Sequence, residues 1–133
     1  MNFTGTVLLV DDEAHIRKFV GLILKTLGSP KLLEAPNGQE ALAIYQRENP
    51  DLVLLDINMP VMDGIETLRK LREIDPDALV VMLTSLASRS NIENAVSLGA
   101  ANYIRKDTPK DEIAKALRET ITACFETEEP PAA

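Results

Sequence analysis

Four short stretches carry the residues able to do polar chemistry. Asp11-Asp12-Glu13 follows the apolar run Val7-Leu8-Leu9-Val10, and Asp56 follows Leu52-Val53-Leu54-Leu55. Thr84 and Ser85 follow Leu79-Val80-Val81-Met82-Leu83, and Arg105 and Lys106 follow Asn102-Tyr103-Ile104. If the runs are strands of one sheet, three aspartates, a hydroxyl and a lysine meet at one edge. Open α/β sheets bind ligands outside the carboxyl ends of their strands. Three carboxylates a few ångströms apart repel by roughly a kcal/mol per pair or more, so they call for a cation. An all-oxygen donor set selects a hard ion such as Mg²⁺. A divalent ion and a lysine beside a carboxylate form a phosphoryl-transfer arrangement, in which the carboxylate attacks in line. The Thr84 hydroxyl adds one more donor to the phosphoryl group. Asp56, alone at the end of what should be a central strand, is the better nucleophile candidate. Asp11 and Asp12 are adjacent and can share the metal.

The elements that must position these groups are legible in the apolar pattern. The three strongest runs are continuous rather than alternating, as strands read when both faces are buried in a parallel sheet. Weaker strands are expected at Lys31–Glu34 and Asn102–Ile104. Between the runs the period is helical. Ile16, Phe19, Val20, Ile23, Leu24 and Leu27 form one stripe, stopped by Gly28. Asn37-Gly38 opens a second helix carrying Ala41, Leu42 and Tyr45, closed by Asn49-Pro50. A third covers about 65–74, with Leu68 and Leu71 inward. A fourth covers about 88–98, with Ile92, Ala95 and Val96 inward. Thr108 reads as the cap of the fifth and Pro109 as its first residue, with the stripe Ile113, Leu117, Ile121, Cys124 and Phe125. Five strands alternating with five helices through right-handed crossovers make an α/β doubly wound parallel sheet. Residues 126–133, charged and proline-containing, read as a disordered tail or the start of a linker.

Composition sets the outer limits. At 133 residues the chain is one domain's worth, with an ordinary balance of 45% hydrophobic and 26% charged residues. A net charge of −7 makes it a poor unaided partner for nucleic acid or anionic membrane. The single cysteine excludes an internal disulfide and a cysteine-based zinc site, and the single histidine argues against a histidine-rich one. No apolar run approaches the ~18 residues of a membrane span. No secretory signal is visible, so a cytoplasmic location is the default.

Taken together, these residues resemble the receiver domain of bacterial two-component response regulators. The motifs are Leu8-Leu9-Val10-Asp11-Asp12-Glu13, Leu54-Leu55-Asp56-Ile57-Asn58-Met59-Pro60 with Asp63-Gly64, then Thr84-Ser85, then Lys106. Thr84 lies 28 residues after Asp56 and 22 before Lys106, spacings typical of the family. The resemblance covers about 6–125, and residues 1–125 are expected to form the receiver. It implies a flavodoxin-like sheet of order 2-1-3-4-5 with five helices. It implies that Asp56 takes a phosphoryl group from a sensor histidine kinase, a phosphotransfer protein or a small phosphodonor. It implies that Mg²⁺ is held by Asp11, Asp12, Asp56 and the backbone carbonyl of Asn58. Lys106 and the Ser85 amide would contact the phosphoryl group, while Thr84 and Tyr103 move as the switch. The surface of helix 4, strand 5 and helix 5 would then control a protein target or a C-terminal output domain. Such a chain is a signalling switch rather than an enzyme, binds no nucleic acid directly and is compatible with a phosphorylation-dependent dimer.

One departure stands out: Asp107 follows the lysine where most receivers have proline. Lys106-Asp107-Thr108-Pro109 resembles the variant found in receivers fused to a helix-turn-helix domain, so the chain reads either as a stand-alone receiver or as an excised one. A cis bond before a non-proline residue costs ~2.5–4 kcal/mol, so a trans Lys106–Asp107 bond is expected. Two other classes fit less well. A haloacid-dehalogenase-type phosphatase has Asp-x-Asp at the first strand and its paired aspartates last, whereas here the pair comes first and Asn58 follows Asp56 by two. A flavodoxin-like electron carrier needs a hydroxyl-rich loop after the first strand and aromatic stacking partners. His15 reads as a surface residue, Cys124 as a small apolar residue of the last helix, and Asp63-Gly64 as turn chemistry.

Overall fold

In the computed structural model, which describes residues 2–85 and 88–125, the first strand shows why the apolar runs are continuous. β1 (Thr6–Val10) sends Leu8 and Val10 to one face of the sheet and Val7 and Leu9 to the other, and all four are buried. Successive strand side chains point to opposite faces, so a strand covered on both sides has no polar position to alternate with. The same holds for β3 (Leu52–Leu55) and β4 (Val80–Thr84), every residue of which is buried. β2 (Lys31–Ala35) and β5 (Asn102–Arg105) carry exposed residues because they are the sheet edges. The five strands pair in parallel in the order β2-β1-β3-β4-β5.

The helices cover the two faces. Val20, Ile23 and Leu24 of α1 (Ala14–Lys25) and Ile113, Leu117 and Ile121 of α5 (Lys110–Phe125) pack on the Val7/Leu9 side. Ala41 and Tyr45 of α2 (Gly38–Glu48), Leu68 and Leu71 of α3 (Gly64–Ile74) and Ala95 of α4 (Arg89–Ser97) pack on the Leu8/Val10 side. Each large side chain buried this way contributes roughly 1.5–3 kcal/mol. Side chains of Asn37, Asp63 and Ser88 cap α2, α3 and α4, each accepting from a backbone N–H three residues on.

The inward stripes are narrower than the sequence implies. Phe19 is 38% exposed, at the border of the α1 stripe, and Val96 is 65% exposed, because α4 presents only Ala95 fully to the core. Cys124 and Phe125 are exposed as well. A helix of 16 residues is about 24 Å long, nearly twice the span of a four-residue strand, so the last turn of α5 overshoots the sheet. Phe125 instead meets the ring of Phe3, their centroids 5.6 Å apart. α5 begins one residue later than expected: the Pro109 carbonyl accepts from the N–H groups of Glu112 and Ile113, which puts Pro109 rather than Thr108 at the cap. No peptide bond among the described residues is cis, so Lys106–Asp107 is trans, and Asp107 accepts a bidentate pair from Arg105 at 3.0 and 2.8 Å. Residues 126–133, expected to form a tail or linker, lie outside the described residues.

Candidate functional site

The parallel register brings the ends of β1, β3, β4 and β5 to one edge. The Asp56 N–H donates to the Val10 carbonyl at 3.0 Å, and the Lys106 N–H donates to the Thr84 carbonyl at 2.9 Å. Ladder bonds thus carry each polar group the same short distance beyond its apolar run. Asp11 (5% exposed) and Asp56 (2% exposed) are buried there, while Asp12 is exposed.

Asp11 uses every polar atom it has. Its N–H donates to the Ala35 carbonyl, its Oδ1 accepts from the Glu13 N–H at 2.9 Å, and its Oδ2 lies 2.7 Å from the Lys106 ammonium. Asp56 Oδ1 accepts from the Ile57 N–H at 2.8 Å, and its Oδ2 accepts from Lys106 Nζ at 3.1 Å. Glu13 Oε1 is a third acidic neighbour of that ammonium, at 3.5 Å. Glu13 opens α1 without a side-chain cap, so the helix start gives up its own capping bond at the site.

The charge states follow from these contacts. Burial pushes the Asp11 carboxyl up; the hydrogen bonds from Lys106 and the Glu13 N–H pull it back, the Asp56 charge adds to the rise, and the net direction is upward. Burial pulls Lys106 down, but its hydrogen bonds to Asp11 and Asp56 outweigh that and hold it above its ordinary range. Burial, then the Asp56 charge, raises the Tyr103 hydroxyl. The lysine is therefore a fixed cation at the site.

Oxygens of Asp11, Asp12 and Asp56 all lie within 4.8 Å of one another. One ammonium against these three carboxylates, with Glu13 a fourth beside the lysine, leaves an excess of negative charge that a divalent cation would offset. The donors are all oxygen, so the set suits Mg²⁺. Of the other expected site residues, Asn58 is exposed two positions beyond Asp56, Thr84 is buried at the end of β4, Ser85 is exposed next to it, and Tyr103 is half-buried beside Met82.

Three contributors carried no site role in the sequence pattern. Glu13 belongs to the acidic run but had no role of its own. Gly64 has one because a Cβ there would sit 2.0 Å from the Asp56 carbonyl oxygen, so only glycine lets α3 start this close to the strand end. Arg17, 16% exposed, reaches the Asp11 carbonyl with NH1 at 2.6 Å. The signal for Arg17 was its position: it stands three residues before Val20 and seven before Leu24, on the inward stripe of α1.

The fold is a doubly wound α/β sheet with an acidic cluster and a buried lysine at one edge, and comparison with known proteins makes the class definite. The response regulator receiver domain family matches residues 7–118. The chain belongs to that family, the switch domains of two-component signalling. It is 36% identical over 115 residues to the chemotaxis protein CheY of Bacillus subtilis, covering 86% of this chain and 96% of that protein. It is 38% identical over 117 residues to CheY of Halobacterium salinarum, covering 88% and 97%. A chain of the CheX-CheY-BeF3-Mg+2 complex from Borrelia burgdorferi superposes with a TM-score of 0.81 at 30% identity, over 90% of this chain and 88% of that one. Among the described residues no helix is long and apolar enough to cross a membrane.

Proposed function

We propose that Asp56 is the phosphoacceptor and that Asp11, Asp12, Asp56 and the Asn58 backbone carbonyl hold Mg²⁺. The observation that carries this reading is the Lys106 ammonium seated between Asp11 and Asp56 with Asp12 beside them. A carboxylate oxygen of Asp56 attacks the phosphorus of a phosphohistidine or a small acyl phosphate. The donor's P–N or P–O bond breaks, and its electron pair leaves with the donor. Lys106 passes from the Asp56 carboxylate to a phosphoryl oxygen and offsets its charge. When bound, Mg²⁺ supplies the remaining charge neutralisation. The Ser85 N–H and the Thr84 hydroxyl provide further donors, and Tyr103 follows Thr84 inward. The rearranged surface of α4, β5 and α5 is then offered to a protein target or an output domain.

The receiver spans residues 1–125, acts in the cytoplasm and receives its phosphoryl group from a sensor histidine kinase or a phosphotransfer protein. It turns over no substrate beyond its own phosphorylation and dephosphorylation. Incubation with acetyl phosphate and Mg²⁺ should add one phosphoryl group by intact mass, and Asp56→Asn should abolish it. Equal labelling of the variant would remove Asp56 from this role.

A further inference from the structure

We infer that Arg17 is a positioning residue that sets the peptide between Asp11 and Asp12 for cation binding, braced from β2 by Glu34. The inference rests on the proposed Mg²⁺ and phosphoacceptor site. Among the described residues the Arg17 side chain makes two hydrogen bonds. NH1 donates to the Asp11 carbonyl at 2.6 Å, and Nε donates to Glu34 Oε1 at 2.8 Å. The carbonyl it holds belongs to the peptide plane that joins the two aspartates. Peptides are planar, so fixing that oxygen fixes the direction in which the chain enters Asp12.

Asp12 needs such a constraint more than its neighbours do. Asp11 is held at its N–H, both carboxylate oxygens and its carbonyl. Asp56 is buried directly after β3 and is held at its N–H and both carboxylate oxygens. Asp12 is exposed and lies at the turn between β1 and α1. A ligand whose backbone can rotate must be ordered on binding, which weakens the site.

The choice of residue fits the task. An arginine presents several donors in one rigid plane, so a bond to Glu34 on one edge orients the bond to the carbonyl on the other. A lysine ammonium donates from freely rotating bonds at a single nitrogen and so lacks that coupling. The guanidinium is mostly buried while Glu34 is 56% exposed, so the brace joins the floor of the loop to the sheet edge. Partners that orient metal ligands typically change metal affinity by about 10–100-fold when removed.

The test compares the parent with Arg17→Gln, Arg17→Lys and Glu34→Ala. Mg²⁺ affinity is measured by calorimetry with MgCl₂ alone, and the Asp12 amide is followed by ¹⁵N NMR in EDTA. Arg17→Gln should weaken Mg²⁺ binding about tenfold and shift the Asp12 amide without metal. Arg17→Lys should recover only part of that loss, and Glu34→Ala should weaken binding several-fold in the same direction. Acetyl phosphate labelling should need more Mg²⁺ for half-maximal rate, with most of the rate recovered at saturation. Variants that melt lower yet bind Mg²⁺ within twofold of the parent would reduce Arg17 to a packing residue. Should Arg17→Gln fail to fold, unchanged affinity in Glu34→Ala would overturn the brace. A parent that binds no Mg²⁺ would overturn the site reading itself, an outcome distinct from unchanged variants beside a binding parent.

Discussion

Replacing Lys106 with methionine tests the electrostatics of the site most directly. The side chain is 12% exposed and faces Asp11 at 2.7 Å, Asp56 at 3.1 Å and Glu13 at 3.5 Å. At an effective dielectric of about 20, the first two contacts correspond to gross attractions of about 6 and about 5 kcal/mol. Desolvation of the ammonium offsets much of this. Removing one partner of a buried pair typically costs about 3–5 kcal/mol, because the other charge is left uncompensated. The carboxylates here reach solvent through exposed Asp12, so we expect the lower figure, about 3 kcal/mol, in EDTA. Saturating Mg²⁺ should reduce the loss, since a dication then faces the same carboxylates. Acid should reduce it too. Burial already raises the Asp11 carboxyl, and without the ammonium it rises further, so protonation on lowering the pH relieves the repulsion. The assay is urea unfolding followed by far-ultraviolet circular dichroism at pH 8 and pH 5, with EDTA or MgCl₂. A loss below about 1 kcal/mol in EDTA at pH 8, independent of Mg²⁺, would mark Lys106 as a solvated surface charge and refute the reasoning.

Asp12→Asn removes one of three mutually repelling carboxylates, so its melting temperature in EDTA should exceed the parent's by about 3 °C. Mg²⁺ at ten times its Kd should stabilise the parent by about 1.4 kcal/mol and the variant far less, and equal shifts would place the metal elsewhere. Gly64→Ala puts a methyl 2.0 Å from the Asp56 carbonyl oxygen and 2.7 Å from Ile57 Cα, backbone atoms that cannot swing aside. It should lose about 2–3 kcal/mol in urea unfolding and label more slowly with acetyl phosphate, whereas an unchanged midpoint would mean that α3 can recede without harm. Tyr45→Phe removes the 2.6 Å hydrogen bond to Asp75, which holds that carboxyl below its ordinary range. A lowered folded-state pKa contributes stability above the unfolded value near ~3.9 and loses it as pH falls through the folded value. The parent should therefore exceed the variant in stability at pH 7, with the gap closing below about pH 4; a gap that persists at pH 2 would assign the effect to packing.

The sequence by itself determined the order and type of the elements, because each obeys a local rule. Continuous runs such as Leu52–Leu55 are what a strand buried on both faces must look like, and the caps Asn37 and Asp63 stand where the helices begin. It also indicated that Asp11, Asp12, Asp56 and Lys106 would meet, since each stands at or just past the end of a run, and the parallel register carries run ends to one edge. Helical periodicity marks a direction, however, and not how far the sheet extends beneath it. The exposure of Val96, Cys124 and Phe125 was therefore decided by the width and length of the sheet. Likewise, the acidic run Asp11-Asp12-Glu13 carries no sign of what holds it. Arg17 meets the Asp11 carbonyl and Glu34 only once α1 has packed back over β1 and β2. Gly64 comes close to the Asp56 carbonyl only when α3 docks beside β3. These contacts link positions that no local pattern relates, and they exist only after the tertiary packing has brought separate elements within hydrogen-bond reach.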